Sequence, residues 1–341
     1  MTYKRWTLYY FIIPFITITA IFTFNFVIDP YSMTKYNVLK IPNKFARDDR
    51  VEKVAKLKSS PAFDNIVLGS SRVYSSNPLM VSKYLSGSTY NAGVGTARVE
   101  DDLGFILLLQ RLDKLPKNII IGLDFYSFNK ELETNKYFLK NKDLNFLNKR
   151  ISNQNYLANF LSLDALRASY KTLSNFLKHP EAKPRFDING ASHEASKVFS
   201  YAPLKQKKKF SDKKLQEELQ FIKTINYSNI SDNRINYLKE IVNIAKKNNI
   251  KLYLYLTPLY GGLLSKIEND KKLYKQLTKL KNIISTIHPY YDFIEHNSIT
   301  EDASYFANPT HFTTIGGNLI YAKLFSDNNI SLPENFGKYR K

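Results

Sequence analysis

A serine pair and an arginine directly after an apolar run, with a lone histidine far downstream, are residue types from which nucleophilic catalysis can be assembled. Residues 66–68, Ile-Val-Leu, break abruptly into Gly69-Ser70-Ser71-Arg72, the pattern of a buried strand entering a tight turn. Two readings stand. Turn serines are common because their hydroxyls bond the local backbone; the alternative is a nucleophile raised on the tip of a strand. Other polar groups follow similar breaks: Asn91 and Gly93 in Tyr-Asn-Ala-Gly-Val-Gly, Asp124 after residues 118–123, Thr257-Pro258 after another apolar run, and His311 in Asn-Pro-Thr-His. Each alone has an ordinary explanation. Asn91 and Gly93 suit a turn, Asp124 a strand-end cap, and His311 a surface position with Thr313 or Thr314 capping the next helix.

The elements that must position these residues repeat as strand, turn, helix, strand, which signals a parallel sheet with crossover helices. A charged helix is expected over residues 47–58, strands over 66–68 and up to Asn91, a helix over 98–112 and a strand over 118–123. The pattern resumes with a helix over 234–250, a strand from Lys251 to Thr257, one long helix over 264–287, a strand from Tyr290, a loop carrying His311 and a helix from Thr314. Residues 129–235, rich in Asn, Lys and Leu, read as a largely helical insertion. In such a sheet ligands bind outside the carboxyl ends of the strands, so one crevice can collect Ser71, Asn91, Gly93, Asp124 and Thr257, with His311 arriving late in the chain.

Ahead of this domain, residues 6–28 carry no charge over 23 positions, against the roughly 20 residues needed to cross a bilayer core as a helix. Residues 1–28 are expected to be an uncleaved membrane anchor, residues 29–60 a juxtamembrane linker and helix, and residues 61–341 the α/β domain. A cleaved signal would have a shorter apolar region and an A-x-A site, and Phe-Asn-Phe-Val-Ile-Asp-Pro-Tyr-Ser offers none. Lys4 and Arg5 before the span nearly balance Lys35 and Lys40 after it. A short basic head usually stays inside, so the N-terminus is expected in the cytoplasm and the main domain outside it. The absence of cysteine from all 341 residues is compatible with an oxidising compartment.

The order of these blocks resembles the SGNH (GDSL-like) esterase and acyltransferase superfamily. The resemblance covers about residues 65–129 and 251–325, leaving the middle unmatched. It implies a flavodoxin-like sheet, Ser71 as the nucleophile in a Gly-Ser-Ser turn, and oxyanion stabilisation by the Ser71 and Gly93 amides. It also implies His311 as general base in a final block that usually reads Asp-x-x-His. Asn308 stands in place of that Asp, and Asp124 where the third block often has Asn. An Asn carbonyl can still hold an imidazole tautomer; Asp302 is an alternative orienter if its loop folds back. A carboxylate aimed at a developing oxyanion would repel it, so Asp124 is expected to be protonated, turned away, or engaged elsewhere, as with Arg72. The anchor joined to Gly-Ser-Ser-Arg is also similar to exported proteins that work with membrane-bound O-acyltransferases in teichoic-acid D-alanylation and in alginate or peptidoglycan acetylation. Basic charge and topology together suggest an acylated surface glycan or polymer as substrate.

Composition sets the remaining bounds. Lys and Arg number 50 against 30 Asp and Glu, a net charge of +20, which favours a polyanionic partner. There is no P-loop and no strand-borne Gly-x-Gly-x-x-Gly, which argues against nucleotide binding. No cofactor and no nucleic acid are expected. His179, His193, His288 and His296 lack metal-ligand spacing. Two other classes compete with an enzyme: a catalytically silent partner of the same fold, favoured by Asn308 and Asp124, and a membrane-tethered polyanion binder. The second needs aromatics interleaved with basic residues, whereas the main basic run, residues 205–214, contains only Phe210.

Overall fold

A computed structural model of the chain describes residues 3–30, 38–39, 41, 48–147, 160–180, 186–191, 209–224, 227 and 229–341. Lys35, Lys40, Arg47, His193 and the first four residues of the basic run, 205–208, lie outside them. The chain forms two compact units, Met1–Ser60 with Asn145–Arg185, and Pro61–Leu144 with Phe186–Lys341. Part of the expected insertion thus groups with the first 60 residues.

In the first unit, α1 (Tyr3–Ile28) is one helix long and apolar enough to cross a membrane. Helix α2 (Asp49–Ser59) begins where the Asp48 carboxylate accepts from the Arg50 N–H, so the expected charged helix starts two residues late, at its cap.

The second unit carries α3 (Pro78–Leu85), α4 (Val99–Arg111) and α5 (Lys136–Lys140). The first unit then resumes with α6 (Leu163–Lys178). Back in the second unit come α7 (Asp212–Thr224), α8 (Asp232–Lys247), α9 (Gly261–Asn269), α10 (Lys271–Ile287) and α11 (Thr314–Leu324). Its strands are β1 (Asn65–Gly69), β2 (Thr89–Asn91), β3 (Asn118–Leu123), β4 (Lys251–Leu256), β5 (Tyr290–Asp292), β6 (Phe306–Asn308), β7 (His311–Phe312) and β8 (Lys338–Arg340).

The main sheet has the order β2-β1-β3-β4-β5-β8, parallel except for β8. The first five strands follow the flavodoxin-like doubly wound order. Strands β1 and β3 are buried along their whole length, as expected of parallel strands covered on both faces. The register aligns Val67 with Asn91, Gly69 with Gly122, and Leu123 with Leu256. It therefore brings the chain ends at Ser70, Asn91, Asp124 and Thr257 to one edge of the sheet. Within the insertion the described residues include α5, α6 and α7, and a bridge between Asn129 and Ile230 closes its two ends. The buried Arg234 guanidinium grips Glu100 with Nε at 3.0 Å and Nη2 at 3.1 Å, tying α8 to α4.

Three elements depart from expectation. The single long helix over 264–287 is two helices, because the Asp270 carboxylate accepts from the Lys272 and Leu273 amides at 3.1 Å and starts a new one. A helix was not anticipated at α3, although Asn77 caps it and Pro78 opens it, both ordinary start signals. Strand β8 is an antiparallel edge held by Arg340, which bonds Asp292 at 2.7 Å and Glu295 at 2.6 Å; such a pairing leaves no local trace in three residues.

Candidate active site

The turn after β1 needs Gly69. Its φ is +132°, and a Cβ there would lie 2.6 Å from the Gly122 carbonyl oxygen and 2.9 Å from Val73 Cγ1. Beyond it, the two serines divide the roles that the sequence left open. Ser70 is the turn serine: its hydroxyl accepts from the Arg72 N–H at 3.2 Å and caps a one-turn 3-10 helix, Ser71–Val73. Ser71 makes a different contact. Its Oγ lies 2.8 Å from His311 Nε2.

His311 does not ride on an open loop. Asn308 and His311 face each other across the hairpin of β6 and β7, with Pro309 and Thr310 as its two-residue turn. Asn308 Oδ1 lies 2.9 Å from His311 Nδ1 and also accepts from the Thr310 N–H and hydroxyl, both at 3.0 Å. Because a backbone N–H can only donate, Thr310 fixes which end of the amide faces the ring. The oxygen then requires a proton on Nδ1, which leaves the Nε2 lone pair for the Ser71 hydroxyl. Thr310 thus sets the tautomer, a role the sequence reading missed although the residue sits inside the motif.

The imidazole is neutral. Its burial and the positive charge of Arg72 push its pKa down, the Asp124 carboxylate pulls the other way, and the result is about 4. A base that stays unprotonated at neutral pH is what proton abstraction from a serine requires. Asp302, the alternative orienter, is used elsewhere: its carboxylate accepts from the Ser304 N–H at 2.9 Å and caps the one-turn helix Ala303–Tyr305.

Asp124 is the engaged carboxylate among the alternatives considered for it. Its Oδ1 accepts from Thr257 Oγ1 at 2.5 Å and from Arg72 Nη1 at 3.3 Å, while Arg72 Nη1 also reaches Thr257 Oγ1 at 3.2 Å. The guanidinium carbon stands 5.3 Å from the centre of the Tyr126 ring, a cation–π distance. The Tyr126 hydroxyl donates to the Ala97 carbonyl at 3.1 Å, and burial, with the Asp124 charge, raises its pKa. Beneath the turn, Asp102 on α4 is fully buried. Desolvation and the charges of Asp101, Asp124 and Glu100 push its pKa well above the carboxylate range, while the Gly69 N–H acts the other way.

Gly93 corrects an expectation. Its N–H does not point at the serine; it donates to Asn91 Oδ1 at 3.0 Å. A Cβ at Gly93 would lie 2.3 Å from Val73 Cγ2 and 3.3 Å from the Ser70 carbonyl oxygen, so the glycine is needed for close packing. Asn91 is likewise a structural residue: its Nδ2 donates to the carbonyls of Val73 at 2.8 Å and Ser76 at 3.2 Å, tying down the far side of the serine turn. The Ser71 N–H opens its helical turn and meets no acceptor among the described residues. Of the two amides expected to face an oxyanion, only the Ser71 N–H is left uncommitted among the described residues. No cluster of three or more His, Cys, Asp or Glu fit to hold a metal occurs among the described residues.

A scan against protein-family models returned no matching family, and a search of the curated proteins returned no match.

Proposed function

We propose that the chain is an SGNH-type serine esterase or O-acyltransferase, held at a membrane by α1 with its α/β domain outside the cytoplasm, acting on acyl esters of a cell-surface glycan or polymer. The relay from Ser71 Oγ to His311 Nε2, and from His311 Nδ1 to Asn308 Oδ1, carries this reading. His311 takes the hydroxyl proton as Ser71 Oγ bonds to the acyl carbonyl carbon. The tetrahedral intermediate then expels its alkoxide, which leaves with that proton. Water or a sugar hydroxyl, deprotonated by the same Nε2, attacks the acyl-serine and restores the enzyme. Hydrolysis and transfer differ only in this second nucleophile.

The developing oxyanion is met by the Ser71 N–H and by the charge of Arg72, close enough to depress the His311 pKa. With Gly93 occupied, Arg72 takes over part of that task. Asp124 and Thr257 hold the guanidinium in place. The excess of basic residues suits an acidic polymer.

The test is covalent labelling of the full chain by a serine-reactive fluorophosphonate, read by intact mass. One adduct is expected on the native protein and none on Ser71→Ala or His311→Ala. An adduct retained by a folded Ser71→Ala protein overturns the assignment. A second reading, a silent partner of a membrane-bound O-acyltransferase, is favoured by the engaged Gly93 N–H and by the neutral Asn308. It expects no adduct on the native chain, and polymer acylation in cells that survives Ser71→Ala but not removal of the protein.

A further inference from the structure

Helix α6 has three faces, and one of them is unexplained by packing within its unit. At about 100° per residue, Ala165, Ala168, Ser169 and Thr172 form one side, and all four are buried. On an adjoining side Leu163, Leu166, Tyr170, Leu173 and Leu177 fall within an arc of about 80°, with Leu166 and Leu173, nearest the buried face, half-buried. Leu163 is 67% exposed, Tyr170 69% and Leu177 71%. Beside that stripe lies a third group, Arg167, Lys171 and Lys178, all exposed and within about 40° of one another. An apolar stripe edged by basic residues is the pattern of a helix lying in a lipid headgroup layer.

The position of α6 on α1 sets its depth. The buried Asn25 of α1 donates from Nδ2 to the Phe160 carbonyl at 2.6 Å and accepts from Ser169 Oγ at 2.7 Å. Phe160, just ahead of α6, packs edge-on against Phe22 and Phe26. Residues 6–20 of α1 are all exposed, whereas burial begins at Ile21 and grows toward Ile28. At 1.5 Å per residue, the covered stretch of residues 21–28 is about 12 Å long. For a span of Trp6–Ile28 that is the last part of a hydrocarbon core of about 30 Å, the level at which interfacial helices lie, about 5–10 Å into the acyl boundary.

We infer that α6 is an interfacial helix, with Leu163, Tyr170 and Leu177 seated in the outer part of an anionic bilayer and Arg167, Lys171 and Lys178 among its headgroups. The inference rests on α1 as the span and is independent of the chemistry at Ser71. An anchor and an interfacial helix joined through Asn25 would fix the first unit against the membrane at two places, where a bare span leaves rotation free.

The absence of cysteine makes site-directed labelling direct. Single variants Leu163→Cys, Tyr170→Cys, Leu177→Cys, Asn175→Cys and Ile16→Cys carry an environment-sensitive fluorophore. The full chain is reconstituted in phosphatidylethanolamine vesicles containing about a quarter phosphatidylglycerol. Labels at 163, 170 and 177 are expected to be at least about fivefold less accessible to aqueous iodide than the label at exposed Asn175, and to be quenched by nitroxide lipids. The label at Ile16 reports the span itself. If Ile16 is protected while 163, 170 and 177 are as open as 175, the inference about α6 fails and the span stands; if Ile16 is open as well, both fail. Protection without lipid quenching, rising with protein-to-lipid ratio, would show a second copy on the stripe and overturn the lipid assignment. Equal protection in phosphatidylcholine vesicles would overturn its anionic part.

Discussion

Two histidines fifteen residues apart have opposite surroundings. His311 is set between a serine hydroxyl and an amide oxygen, with Arg72 nearby, and its pKa falls to about 4. His296 lies between two carboxylates, Glu301 at Nδ1 and Glu268 at Nε2. Burial lowers its pKa too, but the hydrogen bonds its ring N–H groups donate to both glutamates, together with the glutamate charges, outweigh that, and the net shift is upward. The same ring thus has its neutral form favoured in one place and its charged form favoured in the other. At His311 burial and the Arg72 charge act against the imidazolium, and the uncharged Asn308 oxygen orients the ring without offsetting them; at His296 two carboxylates both orient and stabilise it.

The sharpest way to break this contrast is to remove each ring. His311→Gln should lower the rate of fluorophosphonate labelling by about a thousandfold or more, as expected when the base of a serine relay is lost. His296→Gln should change it less than about twofold, since that ring touches no group of the relay. Comparable losses in two folded variants would show that the labelling rate reports general stability and not the relay.

Giving His311 the partner type that His296 has is the next step. In Asn308→Asp a carboxylate faces Nδ1, and an opposite charge at that range raises a pKa by about 1–3 units. The labelling rate of the native chain should climb through an acidic limb near pH 4 and then level off. In the variant the limb moves up by about 1–3 pH units, so the rate falls near pH 5 and rises on the alkaline plateau, where a stronger base is still unprotonated. A limb that stays put would mean that His311 is not the group being titrated.

The third prediction concerns Thr310. Thr310→Val removes one of two donors that fix the Asn308 amide and leaves the backbone N–H in place. A hydrogen bond of about 1 kcal/mol corresponds to a labelling rate lower by about fivefold, with the acidic limb unmoved. A shift of the limb instead would assign the Thr310 hydroxyl to His311 Nδ1, which is 3.0 Å away.

Much of this site was legible because strand ends announce themselves. The apolar runs at β1, β3 and β4 stop at Gly69, Leu123 and Leu256, and parallel register alone then brings Ser70, Asp124 and Thr257 to one edge. His311 was legible through its short motif and the helix that follows. What stayed hidden were choices among partners of equal chemical type. Asn308 and Asp302 are both plausible orienters in sequence; only the hairpin of β6 and β7 selects one and leaves the other to cap Ser304. Likewise nothing local distinguishes a Gly93 N–H aimed at a substrate from one closed on the side chain two residues earlier. The division between Ser70 and Ser71 is of the same kind, since either could cap the turn. The exposed stripe of α6 was also unread, for a helix with apolar residues on two faces looks simply buried until its packing is known.

The smallest effect is the most specific, because the two histidines tilt stability in opposite directions with pH. His296 binds its proton more tightly folded than unfolded, so its contribution is full below the unfolded value near 6.5 and is lost as pH rises through the higher folded value. For His311 the folded pKa is depressed, so the contribution is full above about 6.5 and is lost as pH falls toward 4. Melting curves of His296→Gln should therefore show a deficit against the native chain that is larger near pH 5.5 than near pH 8.5. For His311→Gln the deficit should shrink or reverse in the same acidic range. The His296 ring is half-exposed and its ion pairs are screened, so its difference is held to less than about 1 kcal/mol and should fade at high salt. Parallel slopes for the two variants would show that the carboxylates around His296 do not charge it, and the comparison between the two rings would lose its physical ground.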